Sequence, residues 1–178
     1  MVRTGTTCFA DMYMFEDTLA QVAVSTGIRA DLARGLQCFD DDFDIKTDRR
    51  VLEAVDLFNR YHNAANGRIK VRFGPHAVYT CTPRYLAETA ELAGEMGIGI
   101  HIHLSETANE NKNCINSYGK SPARHLADLG VFNLPTIAAH GVHLSDEDMS
   151  ILKQHKVSII HNPASNLKLG SGVMRAAK

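Results

Sequence analysis

The sequence predicts an α/β protein, a partial TIM (β/α)8 barrel of about six βα units. Three observations predict it. Short β-branched apolar runs alternate with longer stretches of helical period. The runs are apolar throughout, as parallel strands covered on both faces are. Histidines recur at the carboxyl ends of several runs, where a barrel assembles its site from successive strands. An open doubly wound sheet is the competing architecture, but the first strand–helix turn carries no GxGxxG.

Thr6 to Met12 reads as a strand, followed by a helix from about Glu16 to Thr26. Arg29 to Leu36 is the second strand, and Asp48 to His62 a helix with Val51, Leu52, Val55 and Phe58 on one stripe. Ile69 to Phe73 is the third strand, closed by Gly74-Pro75. Thr82-Pro83 opens a helix as N-cap and first-turn proline, with Tyr85, Leu86, Leu92 and Met96 facing the core. Gly97 to Leu104 is the fourth strand. Ser121 starts a helix that runs to Leu129, and Thr136 to His140 is the fifth strand. Ser145 and the acids after it open a helix that suits the dipole and runs to about His155. Val157 to Ile160 is the sixth strand, leading into a Ser/Asn/Gly-rich loop from Asn162 to Val173. The acidic run Asp40 to Asp44 and the stretch Ala108 to Ser117 read as exposed loops. Residues 1–178 are expected to form one incomplete domain, because a closed barrel of this kind takes about 250 residues.

Composition narrows the function. The chain has 178 residues, is 44% hydrophobic and 22% charged, and carries a net charge of -1. That balance gives no electrostatic reason to expect nucleic acid or a membrane surface as partner. No apolar run spans a bilayer, and the first five residues lack the stretch of a secretory signal. The 4 cysteines are scattered without a CxxC pair, as expected of reduced thiols in the cytoplasm.

Of the 9 histidines, His76, His101, His103, His140 and His161 fall at or just past strand ends. In His101-Ile-His-Leu-Ser-Glu-Thr107 the period of two turns both imidazoles to one face. Glu106 then follows the strand end, where an unligated carboxylate suits proton transfer. Taken alone, the segment reads equally as two hydrogen-bonded core histidines and a surface Glu. His140 ends another apolar run, in Ala138-Ala-His-Gly-Val-His143, and by itself reads as a capping histidine. The Gly-Pro break projects His76 over the strand ends, and His161-Asn-Pro-Ala-Ser-Asn-Leu-Lys-Leu-Gly-Ser-Gly172 is a polar loop able to line a pocket. Four such features at successive strand ends point to a site.

Gly5 to Tyr13 (GTTCFADMY), Arg34 to Leu36 (RGL), Phe73 to Cys81 (FGPHAVYTC), HIHLSET, AAHGVHL and HNPASNLKLGSG follow one another in the order of a known family. Together they resemble the 5-methylthioadenosine/S-adenosylhomocysteine deaminases of the amidohydrolase superfamily, kin of the chlorohydrolases and guanine deaminases. The resemblance implies that His103 is a metal ligand, that Glu106 delivers a proton to the purine ring nitrogen, and that His140 orients the attacking water. It implies that His76 contacts substrate, as do Arg34 and Arg50, where a guanidinium fork suits an amino-acid carboxylate. Both arginines also read as surface cations. The cofactor implied is Zn²⁺ or Fe²⁺, which lowers the pKa of bound water toward ~7. The partner implied is a small purine nucleoside, and the frequent association of such enzymes leaves a homo-oligomer open.

The same resemblance exposes a deficit. The family carries an HxH pair at its first barrel strand and an Asp at its eighth. Neither is found before Gly5 or after Gly172, so the visible strands correspond to strands two to seven, with Met1 inside the preceding helix and Lys178 early in the following one. His103 alone cannot hold a catalytic zinc, which takes three protein ligands. The isolated chain is therefore expected to be inactive. The alternatives are a guanine deaminase or triazine chlorohydrolase type of amidohydrolase, and a non-catalytic barrel remnant.

Overall fold

The computed structural model describes residues 1–175, so the expected helix at Lys178 lies outside the described residues. Besides 3-10 turns at Val2–Thr4 and Val131–Asn133, the chain runs through strands separated by helices. The strands are β1 (Cys8–Tyr13), β2 (Arg29–Leu36), β3 (Ile69–Pro75), β4 (Ile100–Leu104), β5 (Thr136–His140) and β6 (Ser158–Ile160). The helices are α1 (Glu16–Thr26), α2 (Arg49–Tyr61), the short turn α3 (Ala64–Gly67), α4 (Pro83–Glu95), α5 (Ala108–Tyr118), α6 (Pro122–Asp128), α7 (Asp146–Gln154) and α8 (Pro163–Lys168).

Every pairing is parallel, and the sheet order is β1-β2-β3-β4-β5-β6. A doubly wound sheet reverses its strand order at a switch point; this sheet adds each strand on the same side. The result is a curled half-barrel wall, which removes the open-sheet alternative.

Alternation along the strands sorts side chains to two faces. Leu32, Ile69 and Val71 pack with Ala20, Ala23 and Leu57 of α1 and α2. Phe73, Ile100, Ile102 and Leu104 pack with Tyr85, Leu86, Leu126 and Phe132 in the larger helix-side core. Each such aliphatic or aromatic side chain contributes about 2 kcal/mol of burial. The other face carries Asp31, Arg72, His101 and His103, and Arg72 Nε meets Asp31 Oδ2 at 2.9 Å.

Five expectations need correction. Ala108 to Ser117 is helix, not loop: Thr107 caps Glu110 N, and Glu110 and Cys114, one turn apart, bury one stripe of an otherwise polar segment. Part of the loop after Asn162 is the short helix α8, with Pro163 in its first turn. Leu52 is 51% exposed and leaves the core stripe to Val51, Ala54 and Leu57. Strand β3 continues through Gly74-Pro75, with Leu36 opposite Pro75. Gly74 makes that continuation possible, because a Cβ there would stand 2.8 Å from Arg34 O. The edge strands β1 and β6 are partly exposed rather than covered on both faces. No helix among the described residues is long and apolar enough to cross a membrane.

Candidate active site

Three consecutive strands, β3 to β5, deliver one histidine each to the same rim. His76 follows β3, and its N–H donates to Leu36 O at 2.9 Å. His103 lies in β4 on the inner face; its N–H and its ring Nδ1 both meet His76 O, at 2.9 and 3.0 Å. His140 ends β5 with a left-handed φ of 79°. The rings of His76 and His103 are 4.6 Å apart between centroids, and those of His103 and His140 5.3 Å. His101 stacks behind His103 at 6.3 Å, on the same face as the period of two requires. Thr80 Oγ1 holds His76 Nδ1 at 2.9 Å.

Glu106 closes the group, with Oε1 3.7 Å from His140 Nδ1. Its position is set by Glu110, whose buried carboxylate accepts from Ser105 N and Glu106 N, each at 2.8 Å. Burial raises Glu110, and the charge of Glu106 adds to that, against the three backbone amides that lower it. Ser105 itself adopts a φ of 48°, so the strand exit turns sharply to aim Glu106 back at the rim.

Burial dominates the electrostatics. Desolvation, then the neighbouring His103 and His140, lowers His76 to about 4. His101 falls to about 3 and His103 is lowered as well, burial being the largest cause in both. These three rings are uncharged at neutral pH, which lets them pack without mutual repulsion.

Arg34 and Arg50 lie elsewhere. Arg34 shares a face with Leu32 and Leu36, opposite to His101 and His103, and its Nε donates to Glu53 at 2.8 Å. Arg50 donates to Asp48, the N-cap of α2, at 2.8 Å. Both line a groove of about 1050 Å³ together with Glu16 and Glu53. The structure thus groups His76, His103, Glu106 and His140, and it commits both arginines to ion pairs. Sequence reasoning missed Glu110 and Asn166. Glu110 stands four residues after Glu106 at helical spacing, and Asn166 lies inside the polar HNPASN string, where no single residue stood out.

Among the described residues no three His, Cys, Asp or Glu side chains are arranged to hold a metal ion. His103 Nδ1 faces a carbonyl, so its other nitrogen has a free lone pair, but one such donor does not fit a catalytic metal.

A curled parallel wall with imidazoles and a carboxylate at its carboxyl-end rim is the arrangement of a (β/α)8-type barrel that assembles its site from strand ends. The sequence matches the amidohydrolase family over residues 1–178, and the chain belongs to that family. It is 51% identical over 172 residues to a 5-methylthioadenosine/S-adenosylhomocysteine deaminase of Thermoanaerobacter pseudethanolicus, covering 97% of this chain and 39% of that protein. The deaminase of the same description from Caldanaerobacter subterraneus is 48% identical, with 97% and 39% covered. Among solved structures, an adenosine deaminase from Xanthomonas campestris with bound zinc superposes with a TM-score of 0.85 at 31% identity, covering 97% of this chain and 39% of that one. The zinc complex of atrazine chlorohydrolase from Arthrobacter aurescens gives 0.78 at 25%, covering 95% and 41%. The chain therefore spans about 39% of the length of the first two curated relatives.

Proposed function

We propose that this chain is the central wall of a metal-dependent hydrolytic deaminase that removes the amino group of adenosine-type purine nucleosides, 5-methylthioadenosine and S-adenosylhomocysteine foremost. The observation that carries it is the meeting of His76, His103, His140 and Glu106 at one rim. Residues 1–178 act in this reading as one incomplete barrel domain in the cytoplasm, where the free thiols stay reduced.

In a complete barrel His103 would be one ligand of a divalent metal, zinc or iron, which would supply a water made more acidic by coordination. Glu106 takes a proton from the attacking water and hands it to the purine ring nitrogen. That protonation drains electrons from the carbon bearing the amino group, and hydroxide adds there. The proton of the added hydroxyl then passes by way of Glu106 to the amino group, so that the C–N bond breaks, ammonia leaves and a carbonyl remains. His140 accepts a hydrogen bond from the water and orients it; His76 contacts the base. Arg34 and Arg50 are assigned to substrate binding. Because 5-methylthioadenosine has no carboxylate, a guanidinium fork on a carboxylate applies to one of them and to S-adenosylhomocysteine alone, and it requires the ion pair with Glu53 or Asp48 to open.

A second reading is favoured by the lack of three converging metal ligands among the described residues: alone, the chain is a non-catalytic wall. Two assays decide. The purified 178-residue protein with added zinc should not deaminate 5-methylthioadenosine, and turnover would refute its inactivity. Grafted in place of the matching segment of the Thermoanaerobacter relative, it should support deamination, and Glu106→Gln should cost about 10²- to 10⁴-fold. A folded graft without activity on either nucleoside would overturn the deaminase reading.

A further inference from the structure

The ring of His140 must choose which nitrogen carries its proton, and its surroundings make the choice. Its Nδ1 faces two oxygens, Asn166 Oδ1 at 2.7 Å and Glu106 Oε1 at 3.7 Å. A lone pair on Nδ1 would oppose both acceptors, so the proton sits there. We infer that Asn166 is the positioning residue of His140, locking it as the Nδ1–H tautomer so that the Nε2 lone pair is left as an acceptor.

Asn166 is built for this. It is fully buried, its N–H donates to Asn162 O at 2.9 Å, and its carbonyl accepts from Ser171 N at 2.8 Å. Both ends of the residue are thereby fixed, by the first turn of α8 and by the turn that follows that helix. Its Nδ2 is buried without a partner. Exchanging the two ends of the amide would point Nδ2 at the ring and leave the Nδ1 lone pair facing Glu106, the worse arrangement. A neutral amide oxygen also orients the ring without placing a second carboxylate beside Glu106. His103 reaches the same tautomer by another route, since His76 O can only accept from its Nδ1. The two stacked rings then present the same kind of free nitrogen.

This inference takes its purpose from the proposed water-orienting role of His140, but its test needs neither metal nor turnover, so the two fail separately. Ring-labelled ¹⁵N correlation spectra of the full chain report the tautomer directly. The expected result is Nδ1–H at His140 in the wild type, an Nδ1–H to Nε2–H ratio about fivefold lower in Asn166→Leu, the shift one ordinary hydrogen bond makes, and retention of Nδ1–H in Asn166→Asp, which keeps an acceptor. The stack of Tyr118 on His125, at 4.2 Å and remote from the loop, reports in each variant that the fold is intact. An Nε2–H ring in the wild type overturns the inference even if no variant folds, and so does an unchanged tautomer in folded Asn166→Leu.

Discussion

Glu106 Oε1 and His140 Nδ1 stand 3.7 Å apart, yet the two residues come from different strand exits and neither holds the other by a hydrogen bond. Each is held from behind instead, Glu106 through its backbone by Glu110 and His140 through its ring by Asn166. Separate supports leave the Glu106 carboxylate and His140 Nε2 available to other partners.

The support of Glu106 is testable as stability. Glu110→Ala removes one acceptor from Ser105 N and Glu106 N at once and orphans both amides. Bonds to a carboxylate exceed neutral ones, but freeing a buried charge repays part of the loss; the net cost should be about 2 kcal/mol in urea unfolding. Hydrogen exchange at those two amides should accelerate more than elsewhere. Unchanged protection there would show that Glu110 does not hold the exit of β4.

Glu16 sets the alkaline side of stability. It is buried, and burial followed by the nearby Asp11 raises it from 4.5 to about 8, against the backbone of Tyr13, which lowers it. The folded state keeps a proton that the unfolded chain releases, so this contribution is whole below 4.5 and is lost as pH rises toward 8. Thermal midpoints taken across that window should fall with pH in the wild type. Glu16→Gln, which is neutral throughout, should flatten the slope, and an equal slope in both proteins would exclude Glu16 as its source.

The fold was legible where pattern and caps agree. Ser121-Pro122 and Thr82-Pro83 mark helix starts that the structure keeps, and His101 and His103 share a face because the strand period demands it. Helix α5 was illegible because its four asparagines suit loops; what makes it a helix is the Thr107 cap and the burial of Glu110 and Cys114 on one stripe. Leu52 looked like core because its neighbours are, although a helix of this length buries only one narrow stripe. The grouping of His76, His103, Glu106 and His140 followed from strand ends. The partners of Arg34 did not, since Glu53 lies 19 residues away on a separate helix.

Two ion pairs should respond very differently to truncation. Arg72 binds Asp31 with side chains only 22% and 18% exposed, and its guanidinium also donates to Pro135 O at 2.8 Å. Arg49 binds Glu53 from a side chain that is 91% exposed. Arg72→Ala leaves a half-buried carboxylate without its donor, and Pro135 O with Ile100 N as its remaining donor, and should cost about 2 kcal/mol. Arg49→Ala should cost less than about 0.5 kcal/mol. Chemical denaturation of the two variants side by side checks the ranking, and equal losses would mean that the inner-face pair is as solvated as the outer one.

Ser105 offers a gain instead of a loss. It is fully buried at a φ of 48°, and its hydroxyl has no partner. A side chain in the left-handed region costs about 1 kcal/mol that glycine does not incur. The bonds that matter here belong to the backbone, Ser105 N to Glu110 and Ser105 O from His143 N at 2.9 Å, and glycine keeps both. The added freedom of glycine in the unfolded chain takes back part of the benefit. Ser105→Gly should therefore raise stability by about 0.5 kcal/mol in urea unfolding, with the exchange protection of Glu106 N preserved. A clear destabilisation would mean that the buried hydroxyl is bonded after all, and that the sharp exit from β4 is held by the serine side chain rather than by Glu110.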